Sequence, residues 1–314
     1  MSEENEYLKP LSFDNEDEKL EPLSFDDKGI SAGNVQNEEN FVPLSKSTSN
    51  DIKNKDSNFV FFFGVSASGK SVILSAILYY LSSQVGVLRP KLGTPNTKEA
   101  QGLLSDFFEN IRQGILPNRT TRHQVTRLDL VFEPNNKSKK VPSINLTFLE
   151  TAGGDHQDIS RGGKYHSSID NYLNSNIPLN FIIVTSFNTA RNEDTLINEF
   201  LDELERKGKN LKSVNVLLVI SKWDMSGRSD VSNEEELEHF ISEYLPRTNS
   251  RLNSYQLNKT YFTIGNVENS SNGERITMLN LDSAEVISKW LYESIVGYPL
   301  DYEGTFWERI KFSF

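Results

Sequence analysis

The alternation of apolar and polar positions divides the chain at Asn58. Residues 1–57 carry no helical or strand periodicity and are rich in Asn, Ser, Glu and Asp, so burial cannot offset the entropy of ordering them, and they are expected to be disordered. Phe59-Val60-Phe61-Phe62-Phe63 then forms an unbroken apolar run, the signature of a strand covered on both faces. The mostly apolar stretch 72–85 predicts a helix packed on that strand. Residues 127–133 and 143–150, joined by a polar Pro/Asn/Lys turn, predict a hairpin. Further strands are predicted at 180–186, 214–220 and 260–264, and helices at 193–207, 233–244 and 283–292. Residues 88–114 read as an insertion with one helix, 97–113, capped by Thr97. The sum is an α/β domain over 58–298: a doubly wound sheet of about six strands, mostly parallel with one antiparallel hairpin, and helices on both faces. Residues 299–314 form a tail whose Phe306, Trp307, Phe312 and Phe314 suit docking on the domain or on a partner.

Charge sharpens the division. The 314 residues have a formal net charge of -11, and residues 1–56 hold 14 Asp+Glu against 6 Lys+Arg while the rest holds 30 against 27. The acidity belongs to the tail. Within it a phrase recurs as Leu8-Lys9-Pro10-Leu11-Ser12-Phe13-Asp14, Leu20-Glu21-Pro22-Leu23-Ser24-Phe25-Asp26 and Phe41-Val42-Pro43-Leu44-Ser45. Such repeats on a tether suit avidity for a multivalent protein partner, or record local duplication in an unconstrained segment. With no cysteine, the chain has no disulfide, thiolate metal site, cysteine nucleophile, palmitate or prenyl group, and Ser2 stands where myristoylation needs glycine, so no lipid anchor is expected. No run approaches the roughly 18 apolar residues of a membrane span, and the acidic opening is unlike a signal peptide. A cytoplasmic location is expected. Net acidity argues against a nucleic-acid partner, and Lys137, Lys139 and Lys140 in the hairpin turn read as a solvated loop.

The candidate chemistry lies at strand ends. The first strand runs into Gly64-Val65-Ser66-Ala67-Ser68-Gly69-Lys70-Ser71, which fits G-x-x-x-x-G-K-[ST] between a strand and a helix. Gly64, Ser66, Ala67, Ser68 and Gly69 would wrap the backbone around a triphosphate, Lys70 would reach the β and γ phosphates, and Ser71 would ligate Mg²⁺. The 143–150 strand ends in Glu150-Thr151-Ala152-Gly153-Gly154, where the Glu150 carboxylate can hold Mg²⁺ and the Gly153 N–H can face the γ-phosphate. The 214–220 strand leads into Ser221-Lys222-Trp223-Asp224. Asp224 can accept two hydrogen bonds from guanine, while adenine offers no such pair, so a buried unpaired carboxylate there is expected to penalise ATP, and Lys222 can lay its stem over the purine. Asn266, after the last strand, could contact the guanine carbonyl through its backbone N–H.

In element order, residues 58–298 resemble a Ras-like GTPase domain of the translation-factor-related class of P-loop GTPases. The resemblance rests on GVSASGKS, on Glu150-Thr151-Ala152-Gly153 for the family's Asp-Thr-Ala-Gly, and on Ser221-Lys222-Trp223-Asp224 for its Asn/Thr-Lys-x-Asp. It implies GTP and GDP as ligands, Mg²⁺, and a protein effector or activator as partner, with another GTPase among the candidates. It also implies a first-switch threonine bound to Mg²⁺, Thr120 or the favoured Thr121. Arg119 and Arg122 beside it are open to a role as an arginine finger or to surface ion pairs. Where Ras-like enzymes place a water-orienting glutamine, this chain has Gly154, so hydrolysis is expected to be slow unless Asp155 or the better-placed His156 substitutes; His156 equally reads as an exposed loop histidine. Two functions remain open on this reading: a GTP-hydrolysing switch, or a GTP-bound module that recruits a partner through its tail.

Overall fold

The computed structural model describes residues 55–117, 125–154, 167–226, 233–270 and 273–303. The chain divides into two units, Met1–Ser45 and Lys46–Phe314, and all described residues belong to the second. Residues 1–54 of the predicted disordered tail, with its repeats, and the aromatic residues after 303 lie outside the described residues; the tail's last residues depart from the expectation, because Ser57 is buried and shares a hydrogen bond with the Thr147 hydroxyl at 2.8 Å.

Strand β1 (Asn58–Phe63) is the axis of the fold. It pairs in parallel with β4 (Ile144–Thr151) on one side and with β5 (Leu179–Ser186) on the other, and β6 (Asn215–Ser221) and β7 (Asn258–Phe262) extend the parallel array beyond β5. Beyond β4 lies β3 (Val125–Pro134), antiparallel to it, which confirms the predicted hairpin. With β2 (Gly86–Pro90) at the edge beyond β3, the full order is β2-β3-β4-β1-β5-β6-β7. The unbroken apolar run of β1 is explained by its neighbours. Val60 and Phe62 face one core with helices α1 (Lys70–Tyr80) and α7 (Asp282–Val296). Phe59, Phe61 and Phe63 face a second core with α4 (Asp194–Arg206) and α5 (Asn233–Tyr244), where Phe63 stacks on Phe200 with ring centroids 4.0 Å apart. Burying each such ring contributes about 1.5–3 kcal/mol, so the strand under the glycine-rich turn is among the most firmly held segments.

The insertion differs from its expected form. The apolar stretch after the turn does not remain α-helical to residue 85: α1 ends at Tyr80, a π-helical turn follows over Leu81–Val85, and β2 (Gly86–Pro90) pairs antiparallel with β3 as a seventh strand. Helix α2 (Thr97–Arg112) matches the predicted helix, but Thr97 is its first residue rather than its cap. The Thr97 hydroxyl donates backward, to the carbonyls of Lys91 at 2.9 Å and Thr94 at 2.8 Å.

Besides β2, four elements were not predicted. Helix α3 (Ser167–Leu173) precedes β5. Helix α6 (Pro246–Tyr255) is polar and buries little beyond Thr248 and Leu252; its N-terminus is capped across the fold by Asp194, which accepts from the N–H groups of Arg247 (3.1 Å) and Thr248 (2.9 Å). A small antiparallel hairpin, β8 (Gly265–Ser270) and β9 (Gly273–Leu279), forms a sheet of its own. At the far end of the main sheet, Lys140 is not a free loop lysine. Its Nζ lies 4.8 Å and 5.2 Å from the rings of Tyr298 and Tyr302, and Asn136 Nδ2 donates to the carbonyls of Leu300 and Tyr302, so the segment after α7 is fastened to the β3–β4 turn. Among the described residues no helix is long and apolar enough to cross a membrane.

Candidate functional site

A cleft of about 550 Å³ opens at the carboxyl ends of the parallel strands, where ligands bind in doubly wound sheets. Ser66 to Ser71, Glu150, Gly153, Ser221, Lys222 and Asp224 all line it, so the three separate motifs converge on one site. Asn266 does not line it. The β8–β9 hairpin begins at Gly265 and turns Asn266 into its exposed outer part, paired with Met278, and the wall is made instead by Thr263, Ile264 and Val267.

The phosphate end is built by backbone geometry. Gly69 has φ 95, a left-handed conformation that strains side-chain-bearing residues, and Ala67 adopts φ 63 at a cost of about 1–2 kcal/mol. Helix α1 starts at Lys70 without a side-chain cap and without an acidic residue in its first turn, so its first N–H groups and positive dipole end suit an anion. Beside them the Ser68 hydroxyl is buried, without a hydrogen-bond partner among the described residues, while lining the cleft. Gly153 packs its backbone hard against the turn: a Cβ there would stand 2.1 Å from Ser66 N, so no larger residue fits without displacing the loop.

Lys70 is buried, and its Nζ donates to the carbonyls of Gly64 (2.7 Å) and Val65 (2.9 Å). Gly64 itself serves this contact rather than the cleft wall. Burial pushes the Lys70 ammonium down to about 8, against the pull of the Glu150 and Glu193 carboxylates. Glu193, which sequence reasoning missed, is a buried carboxylate just before α4. It accepts a hydrogen bond from the Thr189 hydroxyl, and burial raises its pKa against the opposing effects of that bond and of Lys70.

Ser71 Oγ donates to Glu150 Oε1 at 2.5 Å. Among the described residues no cluster of three or more His, Asp or Glu side chains could hold a metal. The Ser71–Glu150 pair does fit Mg²⁺: both are hard oxygen donors, and this ion is commonly held by one or two protein oxygens together with waters and phosphate oxygens.

At the base end, Ser221 Oγ donates to the Ser68 carbonyl at 2.5 Å, so the serine in place of asparagine still ties the base loop to the phosphate loop. Lys222 is left-handed, with φ 56, and exposed. Trp223 is buried, its ring 5.4 Å from Tyr261 in a stacked pair and edge-on to Phe187 and Phe240, and its Nε1 donates to Asn233 Oδ1 at 3.1 Å. That anchor holds Lys222 and Asp224 at the rim. Asp224 is exposed, not buried as its expected penalty on adenine required, and it accepts a long hydrogen bond from Thr263 Oγ1 at 3.4 Å. The penalty can operate only where a base covers it. Asn188 and Met225 complete this end. Thr121, Arg119 and His156, with Thr120, Arg122 and Asp155, lie outside the described residues. Gly154 is described, and offers no side chain to a water.

No protein-family model matches the chain, and no curated protein matches its sequence. Solved structures that match include the signal recognition particle receptor SRb-GTP/SRX complex from Chaetomium thermophilum, at 13% identity and TM-score 0.43, over 76% of this chain and 98% of that one. Another is Roco2 RocCORdC of Methanosarcina barkeri bound to GDP, at 15% identity and TM-score 0.35, over 82% of this chain and 55% of that one. At these identities and scores, function has to be argued from the cleft itself.

Proposed function

We propose that the cleft binds a guanine nucleoside triphosphate with Mg²⁺ and that the protein is a cytoplasmic GTP-binding switch with slow intrinsic hydrolysis. One observation carries this reading: the uncapped helix start with Lys70, the Ser71–Glu150 pair and the Lys222/Asp224 rim line a single cleft. Lys70 would exchange its two backbone carbonyls for β- and γ-phosphate oxygens, Asp224 would accept from the guanine N1 and N2 donors, and Lys222 would cover the purine. Ser71 and Glu150 would hold Mg²⁺, which when bound neutralises charge on the phosphate oxygens. Assignment to the translation-factor-related class rests on the sequence motifs, His156 included.

Hydrolysis attaches a water oxygen to the γ-phosphorus as the β–γ bridging P–O bond breaks, giving GDP and phosphate. Thr121 and Arg119 are the residues proposed for the first switch, and His156 for placing the water. Gly154 favours a second reading, a GTP-bound module that scarcely hydrolyses and recruits a protein partner through its tail repeats. Single-turnover phosphate release separates the two: GTP retained for many hours, with or without candidate activators, selects the module. The binding claim is tested by calorimetry. Wild-type protein should bind GTP far more tightly than ATP and Lys70→Ala should bind neither; unchanged GTP affinity in Lys70→Ala overturns the proposal.

A further inference from the structure

The hairpin β8–β9 forms no part of the main sheet, yet Val267, Glu268, Asn269 and Glu274 of it line the cleft. Its register sets Val267 opposite Ile276 and Asn269 opposite Glu274. Side chains two apart on a strand share a face, so these four residues stand on one face. Ile276 is buried and Val267 packs on the core, so that is the face turned towards the domain, with Asn269 and Glu274 next along it at the cleft. The hairpin is also fastened to the insertion. Ile115 forms an antiparallel bridge with Arg275, Ile276 N donates to the Gly114 carbonyl at 2.8 Å, and Arg275 Nη2 donates to the Gln113 carbonyl at 3.2 Å. Leu116 and Pro117, which follow directly, line the same cleft. Two segments outside the parallel array thus meet to make one wall. Glu274 is exposed, and its carboxylate makes no ion pair among the described residues.

This inference rests on the nucleotide reading, for which the partnerless buried Ser68 hydroxyl in the same cleft is an independent sign of a ligand. With a triphosphate on Ser66–Ser71 and a base at Lys222–Asp224, the polar lining of the cleft not yet assigned is chiefly that of this wall, so the sugar is assigned to it. We infer that Glu274, with Asn269 beside it, recognises the ribose. The carboxylate accepts hydrogen bonds from the 2′ and 3′ hydroxyls, and the Asn269 amide supplies a donor and an acceptor. A nucleotide carrying a phosphate on the ribose is rejected, because it would set like charges together against Glu274. The pocket therefore selects guanine nucleotides with free ribose hydroxyls.

The test is competition binding on the full chain with GTP, 2′-deoxy-GTP, 3′-deoxy-GTP and GTP bearing a 3′-phosphate. Wild-type protein should lose about tenfold in affinity or more for each deoxy nucleotide, as for the loss of a hydrogen bond to a charged group, and should bind the 3′-phosphorylated one most weakly. Glu274→Gln should bind GTP about as weakly as wild type binds the deoxy forms, and should regain affinity for the 3′-phosphate. Because Glu274 is exposed, this variant should keep its melting temperature. Equal affinity of wild type for GTP and both deoxy forms, with Glu274→Gln unchanged, overturns the ribose assignment and leaves the nucleotide reading standing. Absence of any GTP binding by wild type overturns both.

Discussion

On the proposed reading of the cleft, Lys70 makes nucleotide binding a proton-linked event. Burial holds its ammonium near pKa 8 while its Nζ donates to two backbone carbonyls, and a phosphate oxygen at that position would bring further negative charge that raises the pKa again. At pH 8 about half the molecules carry the proton on Lys70, so binding GTP should take up about half a proton, falling to about a tenth at pH 7 and rising to about nine tenths at pH 9. Above pH 9 affinity should weaken by about tenfold per pH unit until the bound form also titrates. Phosphate groups titrate near pH 6 and do not contribute in this window. The assay is calorimetry at pH 7, 8 and 9 in two buffers of different ionisation enthalpy, whose apparent enthalpies diverge in proportion to the protons taken up. Glu193→Gln removes one of the two carboxylates that support the charge, so its midpoint should fall below 8. The same shift bears on folding. A lysine with a lowered pKa is destabilising while charged, so in the absence of nucleotide this cost, about 3 kcal/mol, is fully present below pH 8 and is relieved as pH rises from 8 towards 10.5. Identical enthalpies in both buffers at all three pH values would refute the linkage.

Two substitutions test how the loops are held. Gly153→Ala would place a Cβ 2.1 Å from Ser66 N, so the phosphate loop or residue 153 must shift; a stability loss of about 1–3 kcal/mol together with weakened GTP binding is expected, and denaturation midpoints matching wild type would contradict the close packing. Ser221→Ala deletes the buried bond to the Ser68 carbonyl and leaves that acceptor without its hydroxyl donor, a cost of about 1–3 kcal/mol. GDP should leave this variant faster in stopped-flow displacement, and an unchanged off-rate would show that the tie does not hold the base loop.

The parts of the fold legible in the sequence are those with strong local signals. Phe59 to Phe63 and Val216 to Ile220 are apolar without interruption because both faces of their strands are covered, and the glycine-rich turn needs its residue types for backbone reasons. The missed parts are made by tertiary contacts. Glu193 reads as one more polar residue at a helix start, and only the approach of Lys70 gives it an electrostatic role. The β8–β9 hairpin buries little besides Ile276, so its apolar periodicity is too faint to announce two strands. Missing it misplaced Asn266, expected at the base end by its position after β7. Strand β2 is similar: a five-residue edge strand whose Val87 stays exposed.

The two departures from the motifs that the sequence resembles gain a physical sense from their neighbours. Serine at 221 is shorter than asparagine, yet its hydroxyl reaches the Ser68 carbonyl because Gly69 lets the loops approach closely; a Cβ on Gly69 would stand only 3.2 Å from Ser221 Oγ. Glutamate at 150 is longer than aspartate, and the added methylene carries its carboxylate into direct contact with Ser71. One side chain is shortened where the loops are close, and the other is lengthened where it must reach the first turn of α1. Both adjust to a phosphate loop whose position is also fixed by Gly153 packed against Val65 and Ser66. Replacing either residue singly by the one in the resembled motif therefore need not improve the site: asparagine at 221 would have to fit beside Gly69, and aspartate at 150 would draw back from Ser71.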